Sequence, residues 1–215
     1  MKRLMLILSA LLCIGLAAVL IPIKTVAGDE MAWTLRAGDT VWIVPGTVFK
    51  GDVVLLNDPL DPDRTVLRRV VGMPGDKIRV EEGTFRINGK RVRQKDMNEG
   101  GSPPIWKEVI WSRPPARPTR WFVTYNEPKG TWSSDGPIPV PTGHVFVMAD
   151  SRDVALDSRW WGPVPVDQIQ GVVRARYGPA DPQRETAFEF MRPIDQPSVA
   201  EKEQELIEDA AKKNG

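Results

Sequence analysis

The residues able to do chemistry in this chain gather in two stretches, and the remaining inventory is sparse. One histidine, His144, and one cysteine, Cys13, occur among 215 residues. A single cysteine allows neither an internal disulfide nor a cysteine-based metal centre, and a lone histidine argues against a His-rich one. No phosphate-binding glycine loop is present, so no metal and no cofactor are expected. The first dense stretch reads Arg68-Arg69-Val70-Val71-Gly72-Met73-Pro74-Gly75-Asp76. The second runs from Gly143 to Pro165 and contains Asp150-Ser151-Arg152-Asp153-Val154-Ala155-Leu156-Asp157-Ser158-Arg159. Nucleophile and base could come from Ser133, Ser134, Ser151 or Ser158 with Lys50, Lys77, Lys90 or Lys129. None of these pairs has a spacing tied to a known arrangement, and such dyads are defined by geometry. His144 opens an apolar run and reads as a strand-edge or core histidine.

Together the two stretches resemble the conserved boxes of bacterial type I signal peptidases, membrane-bound serine proteases that remove signal peptides from exported proteins. The resemblance implies a serine nucleophile just after a membrane anchor, in a segment Ser-Met-x-Pro-Thr-Leu. Here Glu30-Met31-Ala32-Trp33-Thr34-Leu35 takes that place, followed by the turn Arg36-Ala37-Gly38-Asp39. The implied base is the lysine that opens the first box, where this chain has Arg68. A serine that the resemblance implies beside the lysine amine is Ala155. Asp150, Arg152, Asp157, Ser158 and Arg159 match the family's framework, in which they brace the site from below. A Ser–Lys dyad needs an amine that can lose its proton, whereas a guanidinium stays charged in proteins. The resemblance therefore implies a retained fold in which no functional catalytic residue is expected, the degenerate positions being Glu30, Arg68 and Ala155. A carboxylate and a guanidinium can also form a bidentate pair. Glu30 and Arg68 are accordingly expected to face each other within roughly 4 Å.

These residues need elements to hold them. Thr40–Val44, Val53–Leu56, Leu67–Val71, Lys77–Val80, Thr84–Ile87, His144–Met148 and Val172–Tyr177 read as strands, by alternation or by short apolar runs between Gly/Pro turns. Asn88-Gly89 signals a type I′ hairpin. The expected class is mainly β: an antiparallel signal-peptidase-like core over 28–92 and 143–182, with a Pro/Trp-rich β insertion subdomain over 93–142. Trp106, Trp111, Trp121 and Trp132 in that insertion read as core anchors. Residues 183–215 read as a charged tail, helical over Val199 to Lys213.

Upstream, Met1-Lys2-Arg3 precedes Leu4 to Ile23, twenty residues without a charge. As a helix rising about 1.5 Å per residue that run spans about 30 Å, a bilayer core. Residues 1–27 are read as one N-terminal transmembrane anchor. Lys2 and Arg3 put its start in the cytoplasm and the rest on the periplasmic side of a bacterial inner membrane. The alternative is a signal peptide cleaved after Thr25-Val26-Ala27, but the run exceeds the usual 7–15 residues. With a net charge of +1 nothing points to nucleic acid. The expected function is a non-catalytic signal peptidase-like membrane protein that binds signal peptides, exported proteins or another membrane protein. Two alternatives stand beside it, an active signal peptidase and a secreted soluble β protein.

Overall fold

Short β-branched runs cut by glycine and proline turns leave the chain little choice but sheet. The computed structural model describes residues 23–32, 34–81, 83–97, 105–111, 118–125, 133–178 and 188–189, and it is mainly antiparallel β with very little helix. In chain order the strands are β1 (Ile23–Thr25), β2 (Thr40–Val44), β3 (Val53–Asp58), β4 (Asp61–Gly72), β5 (Lys77–Glu81), β6 (Thr84–Ile87), β7 (Lys90–Arg91) and β8 (Arg93–Asp96). They continue with β9 (Ile105–Trp111), β10 (Pro118–Thr124), β11 (Ile138–Pro139), β12 (His144–Met148), β13 (Val164–Pro165), β14 (Ile169–Tyr177) and β15 (Phe188–Glu189). An eight-stranded sheet has the order β1-β2-β14-β3-β4-β12-β13, with β15 on β14. A three-stranded sheet is ordered β10-β9-β8 and a four-stranded one β11-β5-β6-β7.

Three strands have the bounds read from the sequence: Thr40–Val44, Thr84–Ile87 and His144–Met148. β4 is much longer than the apolar Leu67–Val71. Its first third, Asp61-Pro62-Asp63-Arg64, is exposed and polar, so periodicity hides it. It is strand because the hairpin after β3 pairs Asp58 with Asp61 and Asn57 with Thr65. Asn88 and Gly89 have φ of 53° and 80°, the positive values a type I′ turn demands.

Described residues of 93–142 pack on the rest of the sheet structure. β11 pairs Ile138 with Ile78 of β5. One buried cluster joins Val71, Ile78, Phe85 and Phe146 to Ile110, Trp121 and Val123. Trp121 is buried and Trp106 packs partly buried on the same cluster. The side chain of Trp111, and Trp132 altogether, lie outside the described residues.

The N-terminal reading needs one correction. Residues 23–27 belong to the β fold rather than to a membrane segment: Ile23 pairs with Trp42 and Thr25 with Thr40. Val26 is buried, donating its N–H to Asp39 O at 2.8 Å and accepting from Gly38 N at 2.9 Å. The β-branched residues Ile23, Thr25 and Val26 suit an edge strand, and Ile23 also closes the apolar run, so hydropathy alone blurs the boundary. Residues 1–22, Cys13 included, lie outside the described residues, as does the tail expected to be helical. Among the described residues no helix is long and apolar enough to cross a membrane.

Candidate functional site

The second dense stretch forms a capped loop on which the site rests. Asp157 caps a four-residue helix, α1 (Ser158–Trp161), by accepting from Arg159 N at 3.0 Å. Its carboxylate also takes Ala149 N at 2.9 Å and both Nε and Nη2 of Arg159 at 2.8 Å. Ser158 Oγ accepts from Val147 N at 3.0 Å. α1 ends at Gly162, φ 79°, where a side chain would be strained.

Arg69 and Asp150 form the buried centre of the framework, their side chains 1% and 0% exposed. Arg69 donates Nε to Asp150 Oδ1 at 2.9 Å and Nη2 to Oδ2 at 2.8 Å, a bidentate fork. The same guanidinium reaches Gly51 O and Thr34 Oγ1 and lies 4.9 Å from the centroid of the Trp121 ring. Thr34 donates on to Asp150 at 2.5 Å. The segment carrying Glu30, the first box and the second box are thereby tied at one point.

Glu30 and Arg68 meet beside this centre. Arg68 Nη1 donates to Glu30 Oε2 at 3.1 Å, inside the expected ion-pair distance. The contact is one bond rather than the bidentate fork expected, because the other donors are taken: Nη1 also bonds Leu67 O at 2.6 Å, and Nε and Nη2 both bond Leu156 O, at 3.0 and 2.8 Å. Arg68 is 1% exposed and lies 5.7 Å from the Trp161 ring centroid; Glu30 is 35% exposed. Arg64 approaches the other carboxylate oxygen at 3.7 Å. The chain around Glu30 is fixed from the second box, Ser151 donating its N–H to Glu30 O at 3.0 Å and its Oγ to Asp29 O at 2.7 Å. Ala155 precedes the Leu156 carbonyl that holds Arg68.

A second buried ion pair lies deeper. Arg152 is bonded to Glu108, both buried, with Trp121 Nε1 and Gln94 Nε2 also donating to that carboxylate at 2.9 and 2.8 Å. Burial works against the charge of Arg152, but Glu108 above all outweighs it, and the guanidinium is held above its ordinary range. Burial, reinforced by Glu108, likewise pushes the Tyr125 hydroxyl up. Glu108 went unnoticed in the sequence because no motif contains it. One signal was available: Trp106, Glu108 and Ile110 alternate along β9, which puts the glutamate on the apolar face. A buried carboxylate at such a place requires a charged partner.

The structure also describes several of the other candidate serines and lysines. Ser134, Ser151 and Ser158 are engaged with backbone groups, and Lys50 is paired with Asp76 at 2.7 Å. Among the described residues no group of His, Cys, Asp and Glu could hold a metal.

Comparison with known proteins bears on the whole of this arrangement. The family described as signal peptidase, peptidase S26, matches residues 1–178. The chain is 32% identical over 138 residues to signal peptidase I of Pseudomonas aeruginosa, covering 61% of this chain and 46% of that protein. It is 32% identical over 141 residues to signal peptidase I of Pseudomonas fluorescens, covering 59% and 48%. It is 29% identical over 160 residues to signal peptidase IB of Staphylococcus aureus, covering 72% and 76%. The chain thus spans about half the length of the Pseudomonas relatives it matches. A solved signal peptidase I of Enterococcus faecalis aligns with a TM-score of 0.37 and 19% identity, over 60% of this chain and 98% of that one. With its family match running from the first residue through β14, the chain belongs to the signal peptidase family, peptidase S26.

Proposed function

We propose that this chain is a non-catalytic member of its family, which binds signal peptides, exported proteins or a membrane protein complex without cutting them. The observation that carries this reading is the state of Arg68. It stands where the family has its base, and its guanidinium donates to Glu30, Leu67 O and Leu156 O. It has no lone pair with which to take a proton. Glu30, at the nucleophile's place, is a carboxylate held between Arg68 and Arg64, and a carboxylate so held is a poor attacker of an amide. A binding role is supported by the loop that holds Arg68, where Val154, Leu156 and Trp160 are exposed. Purified full-length protein is expected to bind a labelled signal peptide with an Ala-x-Ala site and to leave it intact over days. Multiple turnover in that assay would establish an active peptidase instead.

We further propose that residues 1–22 remain attached as a single-pass anchor in a bacterial inner membrane, with the β fold on the periplasmic side. Cleavage after Ala27 would strip β1 from β2 and remove Val26 from the core it fills with Met31 and Leu35. The protein is expected to stay with carbonate-washed membranes and to keep its N-terminal sequence. A mature chain starting at Gly28 would place it among secreted soluble proteins.

A further inference from the structure

Four basic residues, Lys50, Lys90, Arg91 and Arg93, line a pocket of about 530 Å³ where the four-stranded and three-stranded sheets meet beside the turn before β3. Among the described residues no carboxylate lines it. Lys50 is already neutralised by Asp76, which leaves three positive charges on exposed side chains. The surrounding backbone makes the excess larger. Arg79, Arg86 and Arg91 stand directly opposite one another across β5, β6 and β7. Glu81 pairs with both Arg79 and Arg86, at 3.2 and 2.9 Å. Seven basic and two acidic residues fall between Lys77 and Lys95, in a chain whose net charge is +1. The floor is apolar, formed in part by Val92 and Ile110, both buried.

We propose that this pocket binds a phosphate-bearing anion, its oxygens held by Lys90, Arg91 and Arg93. A carboxylate brings one charge to three cations. A phosphate brings more charge, and its oxygens match the planar fork of arginine. The apolar floor accommodates a short hydrocarbon arm, so the group can be the headgroup of an acidic phospholipid or a free phosphate compound. The site is distinct from Glu30 and Arg68, and the inference is independent of whether the chain cleaves peptides.

The test uses the full chain in a neutral detergent at 0.15 M salt, near the condition where exposed charges are screened beyond about 8 Å. Inorganic phosphate, short-chain phosphatidylglycerol and, as control, short-chain phosphatidylcholine are titrated separately. Binding is read by phosphorus NMR and by protection of Lys90 from acetylation relative to Lys77, which does not line the pocket. Saturable binding of phosphatidylglycerol or phosphate with protection of Lys90 is expected. The variant Lys90→Gln/Arg91→Gln/Arg93→Gln should lose at least tenfold in affinity, with an unchanged melting temperature expected from exposed side chains. Tighter binding of phosphatidylglycerol than of phosphate identifies a lipid headgroup; equal binding identifies a free phosphate compound. Phosphatidylcholine binding as tight as phosphatidylglycerol, no saturable response to either anion, or an unprotected Lys90 in the unmodified protein would overturn the proposal.

Discussion

Replacing Arg69 by methionine is expected to lower stability by about 3–5 kcal/mol, the cost of removing one partner from a buried ion pair. Set against a typical total of about 5–15 kcal/mol, that leaves the protein marginal, with a melting temperature lower by roughly 10–15 °C for a domain of this size. The cause is what remains behind. Asp150 is 0% exposed and would keep only the Thr34 hydroxyl and weaker neighbours after losing two charge-assisted bonds. The Gly51 carbonyl would lose its donor as well. Arg69→Lys should be nearly as damaging, since an ammonium cannot span both carboxylate oxygens and the Gly51 carbonyl at once. The double variant Arg69→Met/Asp150→Leu should be less destabilised than Arg69→Met alone, because no buried charge is stranded. Glu30→Gln provides the contrast: its partner Arg68 keeps the Leu67 and Leu156 carbonyls, and Glu30 is 35% exposed, so a change under about 1 kcal/mol is expected. Thermal denaturation of the four variants decides. An Arg69→Met protein as stable as the parent would show that the pair is not the brace of the site.

How much of this arrangement the sequence discloses depends on what kind of physics places each residue. The strands β2, β6 and β12 follow from local alternation and β-branched residues, so their bounds are legible. The polar start of β4 is set by hairpin pairing with Asn57 and Asp58, and the edge strand β1 by pairing with Thr40 to Trp42; apolar periodicity registers neither. The approach of Glu30 to Arg68 was readable because Arg68 opens the first box and the turn Arg36–Asp39 sets the register of the segment that carries Glu30. Its single-bond geometry was not readable, since it depends on the Leu156 carbonyl arriving from a third segment. Glu108 is the clearest omission. Its role comes from Arg152, forty-four positions away, and only the alternation of β9 hinted that it points inward.

Rebuilding the dyad should restore peptide cleavage in steps that are far from additive. Glu30→Ser alone is expected to give no product from an Ala-x-Ala substrate. The hydroxyl would face Arg68, and a guanidinium cannot take its proton. Arg68→Lys alone should also give none, for want of a nucleophile. Glu30→Ser/Arg68→Lys supplies both groups, and burial at this position favours a neutral amine. Two carbonyls, Leu67 O and Leu156 O, now hold the arginine; facing an amine, they favour its charged form and oppose that shift. Only a trace of cleavage is therefore expected from the pair. Adding Ala155→Ser restores the hydroxyl that the family resemblance places beside the amine, where it is expected to orient it. The triple variant should exceed the double by at least tenfold, since positioning of a general base commonly contributes about 10²–10⁴-fold and groups acting as one unit are strongly non-additive. Cleavage is measured by chromatography of the products, with circular dichroism to confirm that each variant is folded. Activity in Glu30→Ser equal to that of the triple variant would show that Arg68 is no obstacle. Turnover by the unmodified protein, unaffected by any change at residues 30 or 68, would place the chemistry at a different serine and end the non-catalytic reading while leaving the fold as described.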